Sequence, residues 1–413
     1  MMKILQINCV FKNGSTGKIV YDIHTFLSLK KEKSIVCYGR GRKIKEPGIY
    51  KTCEEWYAKL NNLGSRFTGI MYGGCKYSTK NLISIIKREN PDIVHLHCIN
   101  GYFVNIYVLL DWLKKNKKKT ILTLHSEFMY TGGGGDAFEC KQWNEINGCG
   151  YKARCPRWRL ETKSIFFDRT QIMWKKMKGA FEAWNENILI VSVSPWLLNR
   201  AMNSPILKQF DHRLVMNGLD CSVFYRRVTE QLRIKHNITN EKIILYVTPF
   251  FNTAKEHIKG GYYIIELAKK LKNKNIKIFV AGAFDNSIEV PSNIVLLGKI
   301  LDQKVLAEYY SISNITLLTS KKETFSMVTA ESLCCGTPVV GFKAGAPEQI
   351  AIPEYSEFVE YGDLAALESA IEKWMDVPNR DIISKKAIKA YNREKMCSEY
   401  YQLYLELLQQ RGE

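Results

Sequence analysis

Glu323-Thr-Phe-Ser-Met-Val-Thr-Ala-Glu331, followed by Ser-Leu-Cys-Cys-Gly336-Thr-Pro338-Val-Val, is the stretch from which the fold is read. A β-branched run, Ile315–Thr319, precedes it and another, Pro338–Phe342, follows. Gly-Thr-Pro stops whatever helix lies between, because glycine accepts a left-handed cap and proline cannot continue the helix. Strand, loop, helix and strand in this order are one unit of a parallel sheet with crossover helices. The two glutamates flank the helix start. Eight helical residues advance about 12 Å and turn through roughly two turns plus 80°, so both carboxylates can face one cleft. The helix N-terminus between them offers free N–H groups to an anion, and carboxylates accept paired hydroxyls well. These features suit the two ends of a nucleotide diphosphate sugar.

The same alternation extends over the whole chain. Strands are expected near Lys3–Cys9, Ser34–Tyr38, Ile93–His97, Thr120–His125, Ile188–Ser194 and Arg213–Met216. They recur near Ile243–Thr248, Ile276–Ala281, Ile294–Leu297, Ile315–Thr319 and Pro338–Phe342. The pattern restarts after Asn217-Gly218, so the expected domains are residues 1–220 and 221–390. An amphipathic C-terminal helix is expected within 391–413, with Tyr400, Leu403, Tyr404 and Leu407 on one face out to Gln410. At 413 residues, two or three domains of ~150 residues are anticipated.

Composition bounds the function class. Apolar residues make up 46% and charged residues 24%, as in ordinary globular proteins. The longest apolar candidate, Tyr102–Leu113, is interrupted by Asn105 and Asp111, so no membrane-spanning helix is expected. The start reads as a buried strand and not as a leader, which places the protein in the cytoplasm. Twelve cysteines scattered along the chain read as reduced thiols. The net charge is +19 and uneven: residues 1–220 carry 35 Lys+Arg against 18 Asp+Glu, or +17, which leaves +2 for the rest. That excess points to an anionic partner for the first half, either a membrane surface, a phosphorylated acceptor or nucleic acid, or else to solvated faces alone. The basic clusters at Lys114–Lys119, at Arg154, Arg157 and Arg159, and at Lys175–Lys178 suggest a peripheral contact with anionic membrane. Trp158 and Trp174 would sit at its interface.

In open α/β sheets, ligands bind beyond the carboxyl ends of the strands, so the residues just after each strand matter most. After the first strand comes Gly14-Ser-Thr-Gly17-Lys18, ahead of a helix. It fails the P-loop pattern, with Lys12 where glycine is needed and Ile19 where Ser or Thr is needed. It also fails the dinucleotide fingerprint. A close backbone approach to an anion survives. His97 and His125 end neighbouring strands. Lys259-Gly260 opens a helix and offers a point charge. Cys140, Cys149 and Cys155 form an incomplete zinc set, so no metal is expected. An aromatic and basic loop bearing Arg154, Arg157, Trp158 and Arg159 is expected to meet the acceptor instead.

Glu323, Glu331, Gly336, Pro338 and Val339 resemble the signature of the retaining glycosyltransferases of family 4, which have the GT-B fold. Gly345-Ala-Pro-Glu348 and Tyr361-Gly362-Asp363 fit the same layout. In the first half, Gly14-Ser-Thr-Gly17-Lys18-Ile, His95-Leu-His97, Thr123-Leu-His125 and Asn217-Gly218-Leu-Asp220 look closest to transferases of colanic-acid and capsular-polysaccharide synthesis. The resemblance implies two Rossmann-like α/β domains with parallel sheets facing a central cleft, and a C-terminal helix crossing back to the first. It implies catalytic roles for His125 and Glu323. It implies donor binding by Gly14, Gly17, Lys259, Glu323, Phe325, Ser326 and Glu331, with Glu331 on the ribose and Lys259 on the diphosphate. His97, Arg154, Arg157 and Arg159 would lie on the acceptor side. Thr248-Pro249 stands where such proteins carry arginine; either Lys255 or His257 would substitute, or the diphosphate site would be weaker.

The expected reaction is transfer of a sugar from a nucleotide diphosphate sugar to a lipid-linked or saccharide acceptor hydroxyl, in capsule, exopolysaccharide or lipopolysaccharide synthesis. No cofactor and no nucleic acid are expected. A nucleotide-sugar epimerase on the same fold and a basic nucleic-acid-binding protein are the rivals.

Overall fold

A computed structural model describes residues 1–184 and 187–409. The last residues of the expected 391–413 segment, from Gln410, lie outside them. The chain forms two compact units, Met1–Met216 with the segment from Met396 onward, and Asn217–Lys395.

The first unit runs β1 (Lys3–Asn8), α1 (Gly14–Leu29), β2 (Lys33–Tyr38), β3 (Ile49–Lys51), α2 (Glu55–Thr68), α3 (Lys76–Glu89) and β4 (Ile93–Leu96). It continues with α4 (Ile106–Lys115), β5 (Lys119–Leu124), α5 (Trp158–Thr162), α6 (Thr170–Phe181), β6 (Ile188–Ser192), α7 (Pro195–Asn203) and β7 (Asp211–Leu214). Among the described residues its sheet has seven strands in the order β3-β2-β1-β4-β5-β6-β7, all paired in parallel.

The second unit runs α8 (Glu230–Lys235), β8 (Lys242–Phe251), α9 (Gly261–Lys270), β9 (Ile276–Phe284), β10 (Ile294–Gly298), α10 (Gln303–Ile312) and β11 (Ile315–Leu318). Then come α11 (Met327–Cys334), β12 (Val339–Phe342), α12 (Pro347–Ile350), β13 (Ser356–Val359), α13 (Leu364–Trp374) and α14 (Arg380–Tyr391), before α15 (Arg393–Gln409). Its six described strands are ordered β10-β9-β8-β11-β12-β13, again parallel. Both sheets thus have the doubly wound Rossmann order. The strand order reverses between β1 and β4, and between β8 and β11.

Strands buried on both faces explain the continuous apolar runs of the sequence. β4 (Ile-Val-His-Leu) and β11 (Ile-Thr-Leu-Leu) are buried throughout. The expectation omits β3 and β13. Both are short edge strands, with Tyr, Lys, Ser or Glu among three or four residues, too little for a periodic signal.

In the first unit α15 lays Met396, Tyr400, Leu403, Tyr404 and Leu407 on one face of the sheet, against Ile4, Ile93, Ile121, Leu189 and Val191. This face also carries polar groups. His95 Nδ1 lies 2.7 Å from the Tyr404 hydroxyl, and its Nε2 lies 2.8 Å from Thr123 Oγ1, which contacts the Tyr400 hydroxyl at 3.1 Å. A buried imidazole is tolerated because these partners satisfy it.

Tyr404→Phe is therefore expected to leave His95 Nδ1 buried without its partner, at a cost of about 1–3 kcal/mol. Urea unfolding followed by tryptophan fluorescence checks this. Seven of the eight tryptophans lie in residues 1–216, so the signal reports on the first unit.

Candidate active site

In the second unit the carboxyl edge of the sheet gathers the expected donor residues. β11 ends at Leu318, and Thr319 Oγ1 donates to the carbonyl oxygens of Lys259 (3.3 Å) and Gly260 (3.0 Å). Tyr246 Oη also donates to the Lys259 carbonyl, at 2.6 Å. Gly260 has φ +69°, and a Cβ there would lie 2.0 Å from the Thr319 carbonyl oxygen, so only glycine lets the Lys259 segment seat this close. From this clamp Lys259 Nζ reaches Glu323 Oε1 at 2.5 Å, with both side chains partly buried. Glu323 is fixed by its backbone: its N–H donates to Ala344 O (2.9 Å), and its carbonyl accepts from the Ala346 N–H (3.2 Å). Glu348 steadies that second loop by accepting from the N–H groups of Ala344 (3.0 Å) and Gly345 (2.9 Å).

Glu331 stands within α11 and accepts a hydrogen bond from Tyr310 Oη at 2.9 Å. Burial and the neighbouring carboxylate push the Tyr310 phenol well above its ordinary range, so it stays a donor. Ser326, the N-cap of α11, has φ +82°, an uncommon conformation for a residue with a side chain. Its hydroxyl accepts from the Thr329 N–H at 3.3 Å. Strain of this kind collects at ligand sites. Ser326 and Phe325 are both buried, with Ser326 capping the helix. Lys255 is exposed with its ammonium over the Tyr262 ring, and His257 Nδ1 lies 3.4 Å from the Lys259 N–H.

In the first unit Gly14 and Gly17 lie inside the first turn of α1 and not in a loop before it. Gly17 is buried; a Cβ there would meet Val10 Cγ2 at 3.1 Å. Its absent side chain thus serves the packing of β1's exit against α1. The first turn of α1 carries no acidic residue and no side-chain cap.

His97 and His125 follow β4 and β5 and are brought together. Their rings stack with centroids 5.7 Å apart, and Nδ1 of His97 lies 3.4 Å from Nε2 of His125. His95 stacks behind His97 at 3.8 Å, and Gln6 Oε1 lies 3.3 Å from His97 Nε2. Burial pushes all three imidazoles down, His125 to about 4, so they are neutral at pH 7. A neutral imidazole at the sheet edge offers one donor and one acceptor, suited to a sugar hydroxyl.

Sequence reading missed His95, although its spacing of two from His97 on one strand puts both on one face. It also missed Glu127. This fully buried carboxylate accepts from Tyr130 Oη (3.0 Å), the Ala137 N–H (2.7 Å) and Arg200 Nε, and so holds the loop that leaves His125. Arg200 is sandwiched between the Trp143 and Trp196 rings, at 4.3 and 4.8 Å.

The basic loop differs from expectation. Trp158 and Trp174 are buried within the unit and present no interface surface. Arg157 packs on Phe138 at 3.9 Å and pairs with Glu161 at 3.1 Å, while Arg154 and Arg159 lie over the Trp158 ring. Cys140, Cys149 and Cys155 line one cavity with Trp143, Trp158 and Thr170. Burial pushes the Cys149 thiol up to about 12. Among the described residues, no three His, Cys, Asp or Glu side chains are placed to hold a metal ion. Lysines 114, 115, 118 and 119 are drawn to local partners: Glu182 O, Asp111, Asn90 and Leu407 O.

Residues 228–395 match the family model described as Glycosyl transferases group 1. The chain is a glycosyltransferase. It is 24% identical over 344 residues to the N-acetyl-alpha-D-glucosaminyl L-malate synthase of Bacillus anthracis, covering 79% of this chain and 78% of that one. It is 20% identical to the putative colanic acid biosynthesis glycosyl transferase WcaC of Escherichia coli, over 98% of this chain and 100% of that one. A solved structure of Anabaena HepE in complex with UDP and glucose superposes with a TM-score of 0.64 at 11% identity, covering 98% of this chain and 100% of that one. This glycosyltransferase therefore has the GT-B fold, with two parallel-sheet Rossmann-like domains. Among its described residues, no helix is long and apolar enough to cross a membrane.

The depressed histidines make a pH prediction. The unfolded chain takes up protons near pH 6.5 while folded His125 resists until about 4. The stabilisation is thus complete above 6.5 and lost as pH falls. Each histidine contributes a slope of up to about 1.4 kcal/mol per pH unit in that window. Urea midpoints by tryptophan fluorescence should fall between pH 6.5 and 4, and His97→Gln should flatten the slope.

Proposed function

We propose that this glycosyltransferase moves a sugar, with retention of anomeric configuration, from a nucleotide diphosphate sugar to an acceptor hydroxyl. The observation that carries the reading is the Lys259–Glu323 ion pair at the switch point of the second sheet. Without ligand, each charge satisfies the other. An arriving diphosphate draws the Lys259 ammonium to itself, and Glu323 is released to accept the hydroxyls of the sugar. Glu331, one turn into α11 and held by Tyr310, accepts the ribose hydroxyls. The first turn of α11, which begins just after Glu323, supplies further N–H groups for phosphate. With these groups neutralising the diphosphate, no metal is required.

The acceptor oxygen bonds to the anomeric carbon as the bond from that carbon to the phosphate oxygen breaks. The leaving phosphate oxygen takes the acceptor proton. His125, neutral and seated on His97, positions a sugar hydroxyl. Catalysis is then mostly positioning and charge stabilisation. The Anabaena protein's complex with UDP and glucose supports a nucleotide-sugar donor. The likeness to the putative colanic acid transferase supports bacterial polysaccharide assembly. The acceptor in this reading is lipid-linked or a saccharide, presented at the inner face of an anionic membrane.

Calorimetry with UDP, GDP and ADP tests the donor site. One diphosphate should bind, and Glu331→Ala should weaken it by about 1.5–3 kcal/mol. Unchanged affinity removes Glu331 from the ribose. Glu323→Gln and His125→Ala should lower kcat with the fold intact, and chelator should leave activity unchanged. Magnetic resonance of the product reports the anomeric configuration. Conversion of the donor sugar without acceptor would instead favour the epimerase.

A further inference from the structure

A helix on the surface of a folded domain normally turns its large apolar residues inward. α2 does the reverse. Its buried residues are Ala58 and Ser65. Trp56, Leu60, Leu63 and Phe67 are 67%, 56%, 49% and 48% exposed. Their spacing of four, three and four places them within about 60° of arc on one face at 100° per residue. Phe67 continues the stripe off the helix, with its ring 6.3 Å from that of Phe166, which is 6.0 Å from Phe167. Both of those rings are also exposed. The Ile165 N–H donates to the Arg66 carbonyl at 2.8 Å and ties this second segment to the helix end.

We infer that this stripe is the surface by which the protein docks on an anionic lipid membrane, a partner that rests on the function proposed above. Charge selects the occupant. Residues 55–80 and 163–169 carry Lys59, Arg66, Lys76, Lys80, Lys163 and Arg169 against Glu55 and Asp168. Both acids are engaged internally. Glu55 pairs with Arg40 at 2.9 Å and accepts from the Gly41 N–H, while Asp168 accepts from the N–H groups of Cys155 and Thr170. Lys59 and Arg66 flank the apolar arc on one side, so lysine and arginine charges border tryptophan, leucine and phenylalanine. That arrangement belongs to a helix lying in the plane of a lipid headgroup layer.

The position in the fold agrees. Arg40 donates to the Gly101 carbonyl at 3.1 Å while holding Glu55, and its N–H donates to the Cys9 carbonyl at 2.7 Å. The start of α2 is thereby pinned to the carboxyl edge of the sheet, where His97 and His125 lie. A lipid-linked acceptor would be presented to that edge.

The test is co-sedimentation of the full chain with vesicles of phosphatidylcholine alone, and of phosphatidylcholine mixed with phosphatidylglycerol. The wild-type chain should bind the anionic vesicles, and less as salt rises. Leu60→Asp with Leu63→Asp, at two exposed positions, should reduce binding at least tenfold and leave nucleotide affinity unchanged. Lys59→Glu with Arg66→Glu should remove the preference for anionic lipid. Equal vesicle binding by the leucine variant overturns the assignment of this face while sparing a membrane role. No vesicle binding by the wild-type chain overturns both, and leaves the transfer reaction to stand on the calorimetry. A self-association seen in sedimentation velocity and abolished by the leucine variant, without vesicle binding, assigns the stripe to a second copy of the chain and overturns the proposal.

Discussion

Parallel pairing is the constraint on which everything else here depends. A strand that pairs in parallel with its neighbour cannot be reached by a tight turn, so the chain must cross over, and it crosses through a helix. Every strand therefore exits at the same edge, and the helices begin there. The first-turn N–H groups of α1 and α11 and the residues at the exits of β1, β4, β5, β8 and β11 are delivered to the carboxyl edges without special design. Where the strand order reverses, the flanking helices part to opposite faces and leave a crevice. Lys259 and Glu323 occupy that position in the second unit, His97 and Gly17 in the first.

Within each edge, small residues and backbone hydrogen bonds do the positioning. Gly260 lets the Lys259 segment touch the end of β11, and the Tyr246 and Thr319 hydroxyls hold its carbonyl. Glu323 is held through its own N–H and carbonyl, which leaves its carboxylate to the ion pair. In the first unit the histidines are held by polar groups from beneath, Gln6, Thr123 and the tyrosines of α15. The last helix thus contributes both apolar cover and hydrogen-bond partners to β4, the strand that leads into His97.

The carboxyl edge of the first sheet and the exposed stripe of α2 meet through Arg40. Its backbone N–H holds the exit of β1 at Cys9 O and its guanidinium holds the loop after β4 at Gly101 O together with Glu55 at the start of α2, so the apolar face cannot move far from the histidines. The charge excess of the first 220 residues has a local meaning there. Several lysines on α4 and β5 are spent on carbonyl and carboxylate partners, whereas Lys59 and Arg66 border exposed apolar surface.

Local sequence patterns sufficed for the doubly wound class, most of the strands and the residues that gather at the carboxyl edge of the second sheet. Strand periodicity, the paired glutamates and Lys-Gly are local patterns, and crossover topology sends them to one edge by rule. Tertiary structure alone decided who touches whom. Lys259 and Glu323 are 64 residues apart, and no periodicity announces their pairing. Tyr310 and Glu331, or His95 and Tyr404, meet only because strand order and helix packing bring them together. Burial was equally illegible: Trp158 and Trp174 look in sequence like interface residues, yet both are buried within the first unit. Trp56, Leu60, Leu63 and Phe67 look like the core face of an ordinary helix, and the domain turned that face outward. A helical period states which residues share a face, but only the packing of the whole unit states which way the face points.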